Sequence, residues 1–145
     1  MNSMTIPSES DWRSEPWCID TPYAYEHFLG KTLDEAFDLF VQYSIYYEED
    51  IMFMPVLCFR YYIHAYMNYL LSDKSKGDCD GASCFFGLIE VRKDDICTSE
   101  DKLRNRISEV LQHIGARQEW YDADLDIYGN FSMRSSKALS LINNL

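Results

Sequence analysis

The side chains in this sequence that are best suited to do chemistry or to bind a ligand are carboxylates that lie beside aromatic residues in its first third. Residues 1–50 hold eleven acids against two basic residues, and so carry most of the formal net charge of −11. Carboxylates beside tyrosines suit docking onto a basic partner, because complementary potential steers the encounter and aromatic anchors slow dissociation. We therefore predict a partner-binding surface made of Asp34, Glu35, Asp38, Tyr43, Tyr46, Tyr47, Glu48, Glu49 and Asp50.

Two other interpretations of these acids stay open. Charged runs on helices usually face solvent, so the acids could serve solubility alone. Glu48, Glu49 and Asp50 could also furnish acid–base carboxylates, but catalytic pairs need partly buried environments that push their pKa values apart. Three adjacent acids ahead of the next helix are more typical of a solvated helix N-terminus, where they complement the helix dipole.

The aspartates near residue 124 resemble the start of a calcium loop but lack its essential positions. Asp122, Asp124 and Asp126 alternate as in an EF-hand. That motif needs Gly at its sixth position and Glu at its twelfth, where this chain has Ile127 and Met133. We expect an acidic loop or the start of a helix here.

Other metal sites are also disfavoured. Cys79, Cys84, Cys97 and His113 supply only one closely spaced cysteine pair, whereas structural zinc sites usually have two. A di-iron bundle needs Glu-x-x-His twice, and the nearest match is a single Glu109–His113 pair at the wrong spacing. We predict neither a metal nor a cofactor.

Nucleophilic catalysis has no recognisable motif in the sequence. Cys58 and His64 are six residues apart on one predicted helix, about 120° from each other around it, so they cannot pair there. No G-x-S-x-G elbow, phosphate-binding glycine loop or H-E-x-x-H is present. His27 and His113 belong to no pattern. The sequence therefore favours binding over catalysis.

The bulk composition narrows the partners and the compartment. An excess of acids disfavours nucleic acid and anionic membranes, because both need clustered Lys and Arg. Residues 1–12 lack the basic and apolar segments of a signal peptide, and the five cysteines are an odd number. We predict a cytoplasmic protein with free thiols, and a single disulfide stays open.

The apolar segment 51–71 is long enough to span a bilayer but better explained as a buried helix. Arg60 lies at its middle, where it would cost about 2.5–3.5 kcal/mol in a membrane. His64 and Asn68 add to that cost, and no second spanning segment accompanies it. Tyr62, Tyr66 and Tyr69 form one stripe of this helix, which suits a core better than an exposed groove.

The fold that these patterns predict is all-α: a single-domain bundle of four to five helices around a buried central helix at residues ~55–71. Residues 1–30, punctuated by three prolines, are predicted to be an irregular arm packed on a helical domain at residues 31–145. Thr32 with Glu35 predicts a capped helix start. Residues 82–93 fit a helix or a buried strand, and their helical neighbours favour a helix.

Two further helices complete the predicted bundle. One begins at Thr98 or Ser99 and ends at Gly115, with five apolar residues at helical spacing between them. The last covers Met133–Leu145, with Leu139, Ile142 and Leu145 facing inward. The segment Ser72–Gly81 has the composition of a loop.

The general profile resembles that of bacterial toxin-immunity proteins: small, single-domain, acidic, with thiols and no catalytic motif. The resemblance is one of profile, and no motif assigns family roles to residues here. It implies an inhibitor that neutralises a basic partner such as a nuclease toxin. The alternatives are a small enzyme using carboxylate or thiol chemistry in a helical pocket, and a dimeric regulatory or scaffold module. We expect a monomer or a weak homodimer.

Overall fold

The computed structural model describes residues 4–143, and every regular element in that range is helical, as predicted. Five α-helices have 13 or more residues, which agrees with the predicted four to five. Between residues 4 and 143, no helix is both long and apolar enough to cross a membrane. The α-helices are α1 (Glu9–Trp12), α2 (Thr21–Phe28), α3 (Leu33–Met52), α4 (Val56–Leu71), α5 (Cys79–Val91), α6 (Lys93–Cys97), α7 (Asp101–Gly115), α8 (Leu125–Tyr128) and α9 (Phe131–Asn143).

The chain contacts divide it into two compact units, residues 1–66 and 67–145, which we call the N-terminal and C-terminal units. The division falls inside α4, so the first part of that helix belongs to one unit and its last turn to the other. The predicted division into an arm at 1–30 and a domain at 31–145 stays a prediction.

The expectation of an irregular N-terminal segment is wrong, because two helices lie within it. Helix α1 has a capping box in which the Ser8 hydroxyl and the Asp11 carboxylate each accept a backbone N–H. Helix α2 has Pro22 in its first turn, where the missing N–H costs no helical hydrogen bond. The prolines therefore mark helix starts as well as connections.

Helix α3 confirms the predicted start and extends well past the predicted apolar stripe. Thr32 caps it, and Glu35 completes the capping box. At Tyr43 the backbone leaves the helical region, with φ −161° and ψ 87°, so α3 consists of two helical halves. The second half ends at Met52 and contains the remaining tyrosines and acids of the predicted binding surface.

Helix α4 confirms the predicted central helix, since most of its side chains are buried all round. Tyr62 and Tyr66 are fully buried and Tyr69 is 4% exposed, so the tyrosine stripe belongs to the core. In the N-terminal unit, the Tyr62 ring packs edge-on against Phe28 at 5.0 Å, and Tyr66 stacks on Phe40 at 5.0 Å.

The hydroxyl of Tyr62 also holds the turn that joins α2 to α3. It donates to the carbonyl oxygens of Phe28 and Lys31, at 2.8 and 2.9 Å. Gly30 lies between them with φ +75°, a left-handed conformation that glycine adopts without strain. This turn directs α3 back along α2, and the two helices pack together.

The C-terminal unit is organised by α9, which packs against α5, α6 and α7. Gly115 is the last residue of α7 rather than the residue after it. A Cβ at Gly115 would lie 2.7 Å from that of Ser135. The glycine therefore permits the close approach of α7 and α9, and the Ser135 hydroxyl donates to the Leu111 carbonyl at 2.7 Å.

Other expectations in the C-terminal unit are partly confirmed. The ambiguous segment 82–93 is helical in α5, which begins at Cys79 inside the predicted loop. The five predicted apolar residues of α7 are all buried, but its N-cap is Glu100 rather than Thr98 or Ser99. Asp124 caps α8 by accepting two backbone N–H groups. On α9, Ile142 is buried and Leu139 half-buried, and Leu145 lies outside the described residues.

Replacing Tyr62 by Phe removes the hydroxyl that holds the α2–α3 turn. We expect Tyr62→Phe to lower the free energy of unfolding by about 1–2 kcal/mol, because the carbonyl groups of Phe28 and Lys31 each lose the hydrogen bond from this hydroxyl. Urea unfolding followed by tryptophan fluorescence measures this. Tyr23→Phe is the matched control, because Tyr23 is 59% exposed. Equal stability of the two variants would contradict a role for this hydrogen bond.

Candidate functional site

A cleft of about 230 Å³ lies between α2 and the second half of α3, entirely within the N-terminal unit. Three of its lining residues carry carboxylates, and most of the others carry rings. No Lys or Arg is among the described residues that line it. The lining residues are Asp20, Tyr23, His27, Tyr46, Glu49, Asp50 and Phe53.

Helical spacing brings these side chains together. On α2, Tyr23 and His27 are four residues apart, and the N-cap residue Asp20 precedes Tyr23 by three, so all three share one face. On α3, Tyr46 and Asp50 repeat the same spacing of four. Each helix thus contributes one stripe of polar and aromatic side chains to the cleft.

Hydrogen bonds at both ends of α2 hold the two stripes against each other. The buried Thr21 hydroxyl donates to the Phe53 carbonyl at 3.0 Å, which ties the start of α2 to the end of α3. The Tyr62 hydroxyl ties the end of α2 to the turn before α3. The cleft is therefore built on two fixed helices rather than on loops.

The centre of the cleft is a histidine–aspartate pair. Nδ1 of His27 lies 2.6 Å from Oδ2 of Asp50, and the Asp50 side chain is only 9% exposed. Burial raises the pKa of Asp50, while the hydrogen bond and charge of His27 act in the opposite direction. His27 thus offsets part of the cost of keeping this carboxylate ionised.

Glu48 is a second buried carboxylate, on the side of α3 that faces away from the cleft, since it is about 160° around the helix from both Tyr46 and Asp50. The residue is 6% exposed, and burial together with the charge of Glu49 raises its pKa to about 7. Within residues 4–143 its carboxylate has no hydrogen bond. The expectation that Glu48–Asp50 form a solvated helix N-terminus is wrong: they end α3, where negative charge opposes the helix dipole, and two of them are buried.

Aromatic rings surround the His27 ring. Tyr46 and Tyr47 lie 5.4 and 5.5 Å from it between ring centroids, and the two tyrosine rings meet edge to face at 5.0 Å. Tyr43 continues the cluster at 5.9 Å from Tyr46. Tyr43 and Tyr46 are 58% and 49% exposed, so their rings are available to a partner.

The structure divides the nine residues predicted to form the binding surface. Tyr46, Glu49 and Asp50 line the cleft, and Tyr43 and Tyr47 flank it through ring contacts. Glu48 is buried on the opposite side of α3 and does not line the cleft. The acids of the first half of α3, before the break at Tyr43, do not line the cleft; they are Asp34, Glu35 and Asp38.

Glu35 in particular has a structural role. Its carboxylate accepts the Thr32 N–H in the capping box, and these hydrogen bonds lower its pKa. Asp34 and Asp38 are exposed on the same half of the helix. They remain able to contribute long-range charge but do not share the cleft.

Sequence reasoning missed four lining residues: Asp20, Tyr23, His27 and Phe53. The signal that could have found the first three was present. Ala24 and Phe28 have apolar helical spacing and Pro22 suits a helix start, so residues 21–28 could have been assigned as helix. Asp20, Tyr23 and His27 then fall on one face. The contact of that face with the end of α3 depends on tertiary packing.

His27 and Asp50 supply two of the three members of a nucleophile–base–acid triad, a histidine oriented by a carboxylate. In the described part of the chain, however, the only side chain hydrogen-bonded to His27 is Asp50. The same part contains no group of three or more His, Cys, Asp or Glu side chains placed to hold a metal ion.

Comparison with known proteins returns no match: no family model, no curated protein and no solved structure is similar to this chain at a significant level.

Glu48 makes stability depend on pH. Because its pKa is about 7 in the folded protein and near 4.5 when unfolded, the folded state binds more protons between these values, and stability falls as pH rises through them. We expect Glu48→Gln to remove this loss of stability at high pH, because the amide does not ionise. Relative to wild type, the free energy of unfolding should rise by on the order of 2–3 kcal/mol at pH ~8 and change little at pH ~4.5.

Urea unfolding at the two pH values measures this difference. Glu26→Gln, on the exposed side of α2, is the matched control and should change stability by less than about 0.5 kcal/mol at either pH. A Glu48→Gln variant that is less stable than wild type at pH ~8 would contradict the burial of an ionisable carboxylate.

The five cysteines are free thiols, and they differ in environment. Hydrogen bonding with the Thr21 side chain lowers the pKa of the exposed Cys18, whereas burial raises the pKa of Cys58 to about 12. We expect iodoacetamide at neutral pH to modify Cys18 first and Cys58 only on unfolding, because the thiolate is the reactive form. Peptide mass spectrometry over time checks this order, and early labelling of Cys58 would contradict it.

Proposed function

We propose that this protein acts by binding a basic protein partner through the acidic, aromatic surface formed by α2 and the second half of α3. The observation that supports the proposal is the cleft, where Asp20, Glu49 and Asp50 lie among aromatic rings with no Lys or Arg in the lining. Carboxylates and π faces both attract cations, and together they recognise Lys or Arg side chains.

The surface also has the anatomy of a protein interface. Exposed tyrosines at its rim, Tyr23, Tyr43 and Tyr46, are residues that anchor complexes strongly. Around them the acids of residues 1–50 provide a negative field that accelerates association with a basic partner. Charge would set the rate of encounter, and the rings would set the lifetime of the complex.

Our more specific proposal is an immunity-type inhibitor of the cytoplasm that neutralises a basic toxin domain such as a nuclease. A carboxylate-rich surface can occupy the phosphate-binding site of a nuclease and exclude its substrate, because it presents the same charge as the nucleic acid backbone. This proposal rests on charge, size and the resemblance in profile.

Charge reversal at the cleft tests the proposal. We expect tagged wild-type protein to capture a basic protein from lysate of the native host at ~50 mM salt, with weaker capture at ~500 mM, because salt screens surface charge. Glu49→Lys should remove this capture. Glu109→Lys is the matched control: it makes the same change at an exposed position of α7, and should retain the partner.

The rate of association with the purified partner provides the quantitative measurement. Glu49→Lys should slow association roughly tenfold at ~50 mM salt and less than about twofold at ~500 mM. Equal capture and equal rates for the two lysine variants would contradict binding at the cleft. Capture of no basic protein by wild type would contradict the proposed function as a whole.

A further inference from the structure

The size of the cleft limits what it can hold. Its volume of about 230 Å³ is below the roughly 300–1,000 Å³ of typical small-molecule sites. Its walls are helices fixed at both ends of α2 by Thr21 and Tyr62. A preformed cleft of this size suits a single side chain of a partner rather than a metabolite.

The charges in the cleft select a cation. Asp20, Glu49 and Asp50 line it. Asp50 is the buried member: its side chain is 9% exposed, and one oxygen is hydrogen-bonded to His27. The other carboxylate oxygen makes no hydrogen bond to any residue from 4 to 143 and is not among the fully buried atoms without a partner, so an acceptor at the cleft is left open to a ligand. Glu49, next along the chain and exposed, supplies further acceptors at the mouth.

The rings in the cleft favour a planar cation. Tyr46 is half exposed, and its ring is fixed by edge-to-face contact with Tyr47 at 5.0 Å and by the His27 ring at 5.4 Å. Tyr23 stands on the opposite helix and is 59% exposed. A guanidinium can stack flat on such a ring while its edge donates several hydrogen bonds, which an ammonium cannot do.

We infer that the cleft is a socket for one arginine side chain of the partner, with its guanidinium against Tyr46 and its N–H groups on Asp50 and Glu49. This inference rests on the proposed function, of which it names the recognition element. His27 is a positioning residue: it holds Asp50 through one oxygen and leaves the other for the incoming guanidinium. The cation in turn offsets the cost of burying the Asp50 charge.

The test uses small probes and the full chain, without the partner. Nα-acetyl-arginine methylamide is titrated into the labelled protein and followed by NMR, with the citrulline analogue as its neutral near-isostere and the lysine analogue as the non-planar cation. We expect saturable shifts at Tyr23, His27, Tyr46 and Glu49 with the arginine probe. Affinity should be roughly tenfold or more weaker for citrulline and several-fold weaker for lysine.

Three variants locate the site. Glu49→Gln and Asp50→Asn should each weaken arginine binding several-fold, and Glu109→Gln on α7 should leave it unchanged. Glu49 is exposed, so its variant tests the socket even if Asp50→Asn folds poorly. Equal binding of arginine and citrulline, equal binding of arginine and lysine, or shifts outside the cleft would each overturn the arginine socket.

The outcomes separate this inference from the function on which it depends. Absence of arginine shifts together with Glu49-dependent capture of a basic protein would overturn the socket and leave partner binding supported. Arginine binding in the cleft supports the socket even before a partner is identified. If wild type captures no basic protein and no probe shifts the cleft, both proposals are overturned.

Discussion

The candidate site depends on one hydroxyl group, that of Tyr62. Its donation to the carbonyls of Phe28 and Lys31 fixes the turn between α2 and α3 from inside the core. The ring of Phe28 packs against Tyr62, and His27 is the residue that precedes Phe28 on α2. The position of that turn therefore sets where His27 meets Asp50. A core tyrosine that is not itself among the described lining residues thus helps to set the geometry of the His27–Asp50 pair.

The break in α3 at Tyr43 divides the acids of the N-terminal unit by role. Before it, Glu35 serves the helix start and Asp34 and Asp38 face solvent. After it, the helix presents Tyr46 and Asp50 to α2. The sequence suggests one continuous acidic patch, but the structure has two separate surfaces. One is a solvated face of the helix, and the other is a cleft in which carboxylates lie among aromatic rings.

The parts of the fold that could be predicted from the sequence are those that apolar periodicity and helix capping determine. The Thr32–Glu35 pair located the start of α3, the run around Tyr62 identified α4, and the apolar stripe of α7 is buried as expected. A short element such as α2 is hard to predict, because a proline can mark either a break or the first turn of a helix. The His27–Asp50 contact could not be predicted, since residues 23 positions apart meet only through tertiary packing.

The departures from ordinary helix rules in the N-terminal unit cluster within eight residues. Between Tyr43 and Asp50 the chain interrupts a helix, places acids at a helix C-terminus and buries two carboxylates. Each of these features lowers stability. Sequences usually avoid such conflicts except where function requires them. The buried charge of Asp50 and the interruption at Tyr43 lie at or beside the cleft, which is a physical reason to propose a function for this end of α3.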